Sequence, residues 1–387
     1  MPDLTFDFSA LISDRARAID VSGIRRVFEL GAKLDDPINL SIGQPDFPVP
    51  EPIKRATVDA IGADRNGYTL TQGAPELLAA VGRRLAEDVG WSLSSPELGA
   101  MITSGTSGAI MLACLAVLNP GDEVIIPDPY FVIYPALGGI SGARVISCDT
   151  YPDFRLTAER VAPLITERTK MLIVNSPGNP SGVVLTGEDL RALATLCEER
   201  GILLVSDEIY DEFTYPESRE DGRCPSPARF SRNLLLVRGF GKTYGCTGWR
   251  LGFAAGPAAI IQQMAKLQQY TFVCAPSMAQ VGVADAYAVD MSDHVERYRR
   301  RRDLVVDALA DVTSLVHPGG AFYAFFEVPP DLGLSGTELV ERAIERNVLV
   351  IPGGVFSERD THVRLSYAAP EAKLEVGLDV LRDLLGA

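Results

Sequence analysis

The sequence predicts an α/β protein in which a mostly parallel sheet is covered by helices on both faces and is followed by a smaller α+β lobe. From about residue 50 to residue 255, short continuous apolar runs alternate with helix-like segments. Buried parallel strands joined by helices produce this pattern. The chain has 387 residues, which is too many for one ordinary core, so two domains are expected.

Each element follows from its local pattern. Polar and apolar residues at helical spacing predict helices at 75–89, 106–118 and 187–200. Runs rich in valine, isoleucine or leucine predict strands at 100–103, 123–126, 143–148, 171–175, 202–206 and 234–237. One or two long helices are expected over 280–310, and alternating patterns predict small-lobe strands at 321–328, 348–351 and 362–366. Ligands of such sheets bind beyond the carboxyl ends of the strands.

Composition narrows the classes of function. A net charge of −15 disfavours nucleic acid as a partner. The basic cluster at residues 297–302 is interpreted as a helix face that is solvated or lies between the lobes. No signal peptide is apparent at the start of the sequence, and no apolar run approaches the roughly 20 residues of a membrane span. The six cysteines are scattered without CxxC pairs, which argues against zinc and disulfides and predicts a cytoplasmic protein.

Several familiar motifs nearly occur and then fail. Residues 241–243 resemble the end of a phosphate-binding P-loop, but Leu236 occupies the position of its first glycine. The segment at residues 106–108 is not a nucleophile elbow, because Ala109 replaces the closing glycine. None of the three histidines lies near a serine or cysteine motif, so a histidine-based triad is not expected.

The segment GFGKTYGCTGWRLGF, at residues 239–253, carries the strongest functional signal. It places Lys242 in a glycine-rich turn after an apolar strand, with Arg250 eight residues later. A lysine held in a tight turn and partly removed from water has a lowered pKa and can attack carbonyl groups. A solvated loop lysine is the alternative interpretation of this residue.

Two loops that follow predicted strands could bind ligands. SGTSG, at residues 104–108, opens an apolar helix, so Gly105, Thr106 and Ser107 offer free N–H groups and hydroxyls to a phosphate. Ordinary N-capping by Ser104 or Thr106 is the alternative. Asn179, in NSPGNPSG, follows the strand at 171–175, where the prolines and glycines could also form a simple turn.

Four further residues have a functional and a structural interpretation each. Asp207, with Tyr210 close behind, follows a buried strand, and its carboxylate needs a positive partner, either a protonated heterocyclic nitrogen or a structural arginine. Tyr130 could stack on a flat ring or only pack. Arg364 lies on an alternating strand of the small lobe, where exposed arginines are common.

Together these motifs resemble the pyridoxal-phosphate aminotransferases of fold type I, close to the aspartate and aromatic aminotransferases. The resemblance runs from SIGQPDFP, at residues 41–48, to HVRLSYA, at residues 362–368, and rests on KTYGCTGWRLGF, NSPGNPSG and SDEIY together. It implies a seven-stranded sheet in a large cofactor-binding domain at residues 47–285. It also implies a small C-terminal domain at residues 286–387 and an N-terminal segment, residues 1–46, that belongs to the small domain and contacts the other subunit of a dimer.

The resemblance implies a role for each residue that could bind the ring of pyridoxal 5′-phosphate. Lys242 would carry the cofactor as a Schiff base and move the proton of the substrate α-carbon. Asp207 would pair with the ring nitrogen, and Tyr210 and Asn179 would hydrogen-bond the phenolic oxygen. Tyr130 would stack on the ring face. No metal is expected.

The remaining implied contacts concern two anionic groups, the phosphate of the cofactor and the α-carboxylate of the substrate. The phosphate would be held by Arg250, by the turn formed by Gly105, Thr106 and Ser107, and by Tyr68 of a second subunit, which makes a homodimer part of the site. Arg364 would bind the substrate α-carboxylate in a bidentate way, and the Gly43 backbone and Asn179 would lie beside it.

The chain departs from the family at two positions. Gly239 and Gly241 stand where the family usually has serines, and the first of these serines donates to the cofactor phosphate. Looser cofactor retention is therefore expected, unless Thr106, Ser107 or Thr243 compensates.

The predicted activity is transfer of an amino group between an amino acid and a 2-oxo acid, with 2-oxoglutarate as the expected acceptor. A carbon–sulfur β-lyase, or another reaction that begins with α-proton removal, is the first alternative. A non-catalytic regulatory domain is the second, although residues 1–40 leave little room for a DNA-binding extension. The preferred amino donor stays open. A dicarboxylate donor needs a second arginine, and the candidates in the N-terminal segment are Arg15, Arg17, Arg25 and Arg26.

Overall fold

The computed structural model describes residues 7–19, 23–32 and 34–386, and for Arg26 and Phe28 it describes only the backbone. In chain order the strands are β1 (Ile38–Asn39), β2 (Leu98–Ser104), β3 (Glu123–Asp128), β4 (Arg144–Asp149), β5 (Thr169–Asn175), β6 (Leu203–Asp207), β7 (Leu234–Gly239), β8 (Leu251–Pro257), β9 (Tyr323–Glu327), β10 (Val348–Leu349), β11 (Ile351–Pro352) and β12 (His362–Ser366).

The α-helices of the described residues surround these strands. They are α1 (Asp14–Arg17), α2 (Gly23–Gly31), α3 (Glu51–Gly62), α4 (Pro75–Val89), α5 (Gly105–Val117), α6 (Ile133–Ser141), α7 (Ala158–Val161), α8 (Gly187–Arg200), α9 (Phe240–Thr243), α10 (Ala258–Gln269), α11 (Ser277–Gly282), α12 (Ser292–Leu309), α13 (Gly336–Glu345) and α14 (Glu371–Leu384). Among the described residues, none of these helices has both the length and the apolar character of a membrane span.

Seven strands form one large sheet in the order β2-β8-β7-β6-β5-β3-β4. All neighbouring pairs are parallel except those of β8, which runs antiparallel to both β2 and β7. The predicted fold class, a mostly parallel seven-stranded sheet, is confirmed. Because β8 is reversed, its amino end lies at the same edge as the carboxyl ends of the other six strands.

Alternating residues of the large sheet face two separate apolar cores, which explains the continuous apolar runs. Leu172 and Leu204 pack into the core that includes α4 and α8, whereas Ile173 and Val205 pack into the core that includes α5 and α10. Strands buried on both faces cannot alternate polar and apolar residues. Their ends therefore carry the polar groups.

One sequence prediction of secondary structure is wrong, and two strands were missed. The strand expected at 348–351 is two short strands in different sheets, β10 and β11. The sequence analysis did not predict β1 or β8. One or two long helices were expected over 280–310, and the structure has one long helix there, α12, which begins at Ser292 after the short helix α11 has ended at Gly282.

The smaller sheets lie in the C-terminal part of the chain. Strands β11, β12 and β9 form an antiparallel sheet, and β1 pairs in parallel with β10, with Ile38 opposite Val348. The amide of Ser366 also donates to the carbonyl of Leu40 at 2.7 Å. These contacts join residues 38–40 to β10 and β12. The domain division at residues 46/47 and 285/286 stays a prediction.

The basic cluster of α12 packs between segments of the chain. Arg301 and Arg302 are buried; Arg301 donates to Asp46 at 2.9 Å, and Arg302 donates to the carbonyl of Pro318 at 2.7 Å. Arg302 also pairs with Glu217, which lies within the predicted large domain, at 2.5 Å. This ion pair agrees with the sequence interpretation of a face between the lobes.

Candidate active site

A cavity of about 410 Å³ opens at the edge of the large sheet where the polar strand ends meet. Most of the predicted site residues line this one cavity. They are Gly43, Gly105, Thr106, Ser107, Asn179, Asp207, Tyr210, Lys242, Arg250 and Arg364.

Lys242 lies on α9, directly after β7, and is half-buried in the cavity. Its ammonium donates to the carbonyl oxygen of Gly43, and within the described chain no acidic side chain pairs with it. Removal from bulk water and the nearby cations of Arg364 and Arg250 together lower the pKa of Lys242 to about 8, although Asp207 opposes them. The side chain is therefore much closer to a neutral nucleophile at physiological pH than an ordinary lysine.

Asp207 ends β6 and is 2% exposed. Tyr134 donates its hydroxyl to Oδ2 at 2.8 Å, and the amide of Ile209 donates to Oδ1 at 3.3 Å. Burial raises the pKa of Asp207 to about 6 against the effect of these donors and of Lys242. No arginine pairs with this carboxylate in the described residues. A cation that enters the cavity would therefore supply the ion-pair partner that Asp207 lacks.

Another part of the cavity lining is suited to an anion. Helix α5 begins at Gly105 without a side-chain cap, so its first N–H groups are free to bind a ligand. Gly105 has a φ of +69°, and a Cβ there would lie 2.7 Å from Nη2 of Arg250. Arg250 has no acidic partner among the described residues, and its Nη1 donates to the carbonyl of Thr247 at 3.2 Å. The helix start and the guanidinium therefore lie side by side, as a phosphate site requires.

Arg364 is a buried cation whose neighbours are neutral. It is 1% exposed; Nη1 donates to Oδ1 of Asn179 at 3.0 Å and Nη2 donates to the carbonyl of Ser41 at 2.7 Å. Its Nε has no partner, and burial lowers the pKa of the guanidinium. Such a group, with no carboxylate beside it in the described residues, is suited to an incoming carboxylate.

Two predicted site residues lie outside the cavity. The chain turns so that the amide of Tyr130 donates to the carbonyl of Phe356 at 2.7 Å, and the neighbouring Phe131 lines the cavity instead. Tyr130 therefore does not line the cavity in which it was expected to stack on a ring. Tyr68 is 86% exposed on the surface of the single chain.

The cavity is also lined by residues that the sequence analysis did not single out, and among them are Phe131, Tyr134, Asn175 and Tyr323. Asn175 donates to the carbonyl of Asp207 at 3.0 Å, which ties the ends of β5 and β6 together. The position of Asn175 at the end of a predicted strand was a signal that could have identified it. Tyr134 and Tyr323 are brought in by contacts between residues that are distant in sequence.

A buried charge cluster lies next to Asp207. Arg238, on β7, is 2% exposed and donates through Nε and Nη2 to Glu208 at 2.9 and 2.8 Å. It also pairs with Asp88 and with Asp211, the latter at 3.3 Å. Burial raises the pKa of Asp211 to about 7. The cluster connects the ends of β6 and β7, which carry Asp207 and the turn to Lys242.

Comparison with known proteins identifies the family. The model of the family "Aminotransferase class I and II" matches residues 35–381. The chain belongs to this family. It is an enzyme family that uses pyridoxal phosphate.

Relatives of this aminotransferase match over nearly their whole length. A probable aspartate aminotransferase of Methanocaldococcus jannaschii is 35% identical, covering 97% of this chain and all of the relative. Aromatic-amino-acid aminotransferase 2 of Thermococcus litoralis is 34% identical over 97% of this chain and 98% of its own. The structure of Thermus thermophilus aspartate aminotransferase with maleate superimposes with a TM-score of 0.89 at 34% identity, covering 96% of this chain and 99% of that one.

Proposed function

We propose that this protein transfers an amino group between an amino acid and a 2-oxo acid by means of pyridoxal phosphate held covalently by Lys242. The observation that carries the proposal is that Lys242 lines the same cavity as a buried carboxylate, Asp207, and an anion site made by α5 and Arg250. These three features match the aldehyde, the ring nitrogen and the phosphate of the cofactor. When bound, the cofactor supplies the electron sink that stabilises the substrate carbanion.

The ring contacts follow from the orientation of the strand ends. Asp207 would keep the ring nitrogen protonated, and that cation would supply the missing partner of the buried carboxylate. Tyr210 and Asn179 would bind the phenolic oxygen. Phe131, rather than Tyr130, would lie against the ring face. Gly105, Thr106, Ser107 and Arg250 would hold the phosphate.

Arg364 would fix the substrate by its α-carboxylate, next to Gly43 and Asn179. With the α-carbon held beside Lys242, the neutral amine can take the α-proton and return it to another carbon, as transamination requires. We propose 2-oxoglutarate as the acceptor. Of the N-terminal arginines, Arg15, Arg17 and Arg25 are exposed, and the side chain of Arg26 lies outside the described residues.

A homodimer would complete the site. Tyr68 lies on a surface with other large exposed apolar side chains, Leu70 at 64% and Tyr270 at 83% exposure, which are expected to be covered by a partner. A second copy seated there would bring its Tyr68 to the phosphate. We also propose a cytoplasmic location, because all six cysteines are unpaired and five are buried.

A spectroscopic donor screen tests the function. Purified protein loaded with pyridoxal phosphate is mixed with single amino acids, and the visible absorbance is followed without and with 2-oxoglutarate. Conversion of the cofactor to its amine form by an amino acid alone, reversed by the oxo acid, supports transamination. Release of pyruvate and ammonia from a cysteine-type substrate would indicate a lyase instead. A protein that stays colourless and gains no borohydride-stable adduct on Lys242 would refute the proposal.

Cofactor retention is expected to be looser than in relatives with serines at positions 239 and 241. A Cβ at Gly239 would lie 2.6 Å from Cδ1 of Ile209, so this space is already filled by an apolar side chain. Thr243 is buried and does not line the cavity, whereas Thr106 and Ser107 do. A lost hydrogen bond to a charged group costs about 1.5–3 kcal/mol. A dissociation constant as low as that of a serine-bearing relative, measured in the same buffer, would contradict this expectation.

Gly105→Ala should weaken cofactor binding by about tenfold to a hundredfold, because the new methyl group would displace the Arg250 guanidinium from the phosphate site. Gly90→Ala is the matched control, since Gly90 has a similar φ of +73° and a Cβ added there would have no neighbouring atom within 4 Å. Both variants should lose comparable stability, and only Gly105→Ala should lose affinity. Equal affinities in a fluorescence titration would mean that Arg250 does not hold the phosphate.

A further inference from the structure

Two buried tyrosine hydroxyls meet at the wall of the cavity. Tyr323, on β9, is 1% exposed, and its hydroxyl oxygen lies 3.0 Å from that of Tyr210. Both side chains line the cavity. A Cβ at Gly43 would lie 2.8 Å from the Tyr323 hydroxyl, so this hydroxyl is enclosed between Gly43 and Tyr210. Tyr323 therefore touches the same groups that surround Lys242.

The direction of this hydrogen bond determines what Tyr210 can do. Each phenol has a single proton, so only one of the two can donate to the other. If Tyr210 donated to Tyr323, it would have no proton left for a ligand in the cavity. If Tyr323 donates, the proton of Tyr210 is free to point into the cavity, and the accepted bond makes Tyr210 a stronger donor.

Arg364 favours the second direction. Its guanidinium carbon lies 4.6 Å from the centre of the Tyr323 ring, as in a cation–π contact. Burial raises the pKa of both phenols and Arg364 lowers the pKa of both, but of these two rings only that of Tyr323 lies in cation–π contact with this guanidinium in the described chain. The Tyr323 hydroxyl is therefore the more acidic of the two and the better donor.

We propose that Tyr323 is a positioning residue that donates to Tyr210 and thereby directs the Tyr210 proton toward the phenolic oxygen of the cofactor. This inference rests on the proposed function. It also couples Arg364 to Tyr210, because a carboxylate bound to Arg364 would weaken the electrostatic effect of that cation on Tyr323.

Tyr323→Phe tests the inference, because it removes the hydroxyl and keeps the ring contacts. Tyr215→Phe is the matched control. Tyr215 is also fully buried, and its hydroxyl bonds to that of Tyr367 at 3.1 Å and to the Ala321 carbonyl at 2.8 Å, outside the cavity. The readout is the pH at which the visible band of the cofactor-loaded protein changes. With Tyr210 a weaker donor, this midpoint should rise by about 0.3–0.5 pH unit in Tyr323→Phe and stay unchanged in Tyr215→Phe.

A double variant separates a positioning role from a direct contact. If Tyr323 acts through Tyr210, adding Tyr323→Phe to Tyr210→Phe should cause no further rise. A second increment of equal size would overturn the inference. Gly43→Ala offers an independent variant, since its methyl group would push the Tyr323 hydroxyl away without removing it, and a rise is expected there too.

Two further outcomes distinguish a failure of the proposed function from a failure of this inference alone. A wild-type protein that binds no cofactor would refute the proposed function and the inference with it. A wild-type protein with a normal titration, together with unchanged midpoints in Tyr323→Phe and Gly43→Ala, would overturn the inference alone.

Discussion

Lys242→Ala should reduce amino-group transfer by at least about 10⁴-fold, because it removes both the proposed covalent anchor and the proposed base for the α-proton. The measurement is steady-state turnover with an amino donor and 2-oxoglutarate. Lys266→Ala is the matched control, since Lys266 is an exposed lysine of α10, away from the cavity. Turnover that survives in Lys242→Ala would show that another lysine anchors the cofactor.

The same variant should stabilise the cofactor-free protein. The pKa of Lys242 falls to about 8 in the folded chain, so its charged form is disfavoured there relative to the unfolded chain. The loss of stability from burying this charge is greatest below pH 8, where the lysine is charged in both the folded and the unfolded chain. The loss disappears as the pH rises to about 10.5. Removal of the side chain should add about 1–3 kcal/mol to the free energy of unfolding at pH 7 and little at pH 10.5. Urea midpoints that do not differ at pH 7 would contradict this.

Arg238→Met should destabilise the fold by about 3–5 kcal/mol, because it leaves buried acids without their cation. Glu208 is 1% exposed, and Asp88 and Asp211 face the same guanidinium. The measurement is the urea unfolding midpoint near neutral pH.

A matched control compares the stability lost with a buried ion pair to the stability lost with a more exposed one. Arg299→Met breaks ion pairs on the more exposed side of α12 and should cost less than about 1 kcal/mol. Glu208→Gln added to Arg238→Met should recover part of the loss, since one unpaired buried charge is removed. Equal losses in Arg238→Met and Arg299→Met would mean that the cluster near Asp207 is not needed for stability.

Local patterns in the sequence were enough to predict the strands that carry the site. Runs such as residues 171–175 and 202–206 are apolar on both faces of the sheet, and the polar residues that end them, Asn175 and Asp207, lie in the cavity. Strand β8 escaped prediction because it is rich in glycine and alanine, which are poor strand formers in isolation. Those small residues are needed there, since a Cβ at Gly252 would lie 2.7 Å from the Gly105 carbonyl carbon.

Contacts between distant residues could not be predicted from local patterns. Tyr134 reaches Asp207 across 73 positions, and Tyr323 reaches Tyr210 across 113. The choice between Tyr130 and Phe131 depends on how one turn is tied to Phe356, which no spacing rule indicates. The interruption between α11 and α12 similarly lacks a proline or glycine pair that would have marked it.

Because strand β8 is reversed, one connection carries both of the residues proposed to hold the two ends of the cofactor. Because β7 and β8 are antiparallel neighbours, residues 240–250 leave and re-enter the sheet at the same edge, with Lys242 near the beginning and Arg250 at the end. An insertion or deletion in this hairpin would shift the two attachment points relative to each other. Exchange of the whole hairpin with that of a relative would instead keep the spacing of the two residues. Residues 240–250 are therefore a suitable unit to exchange in engineering experiments.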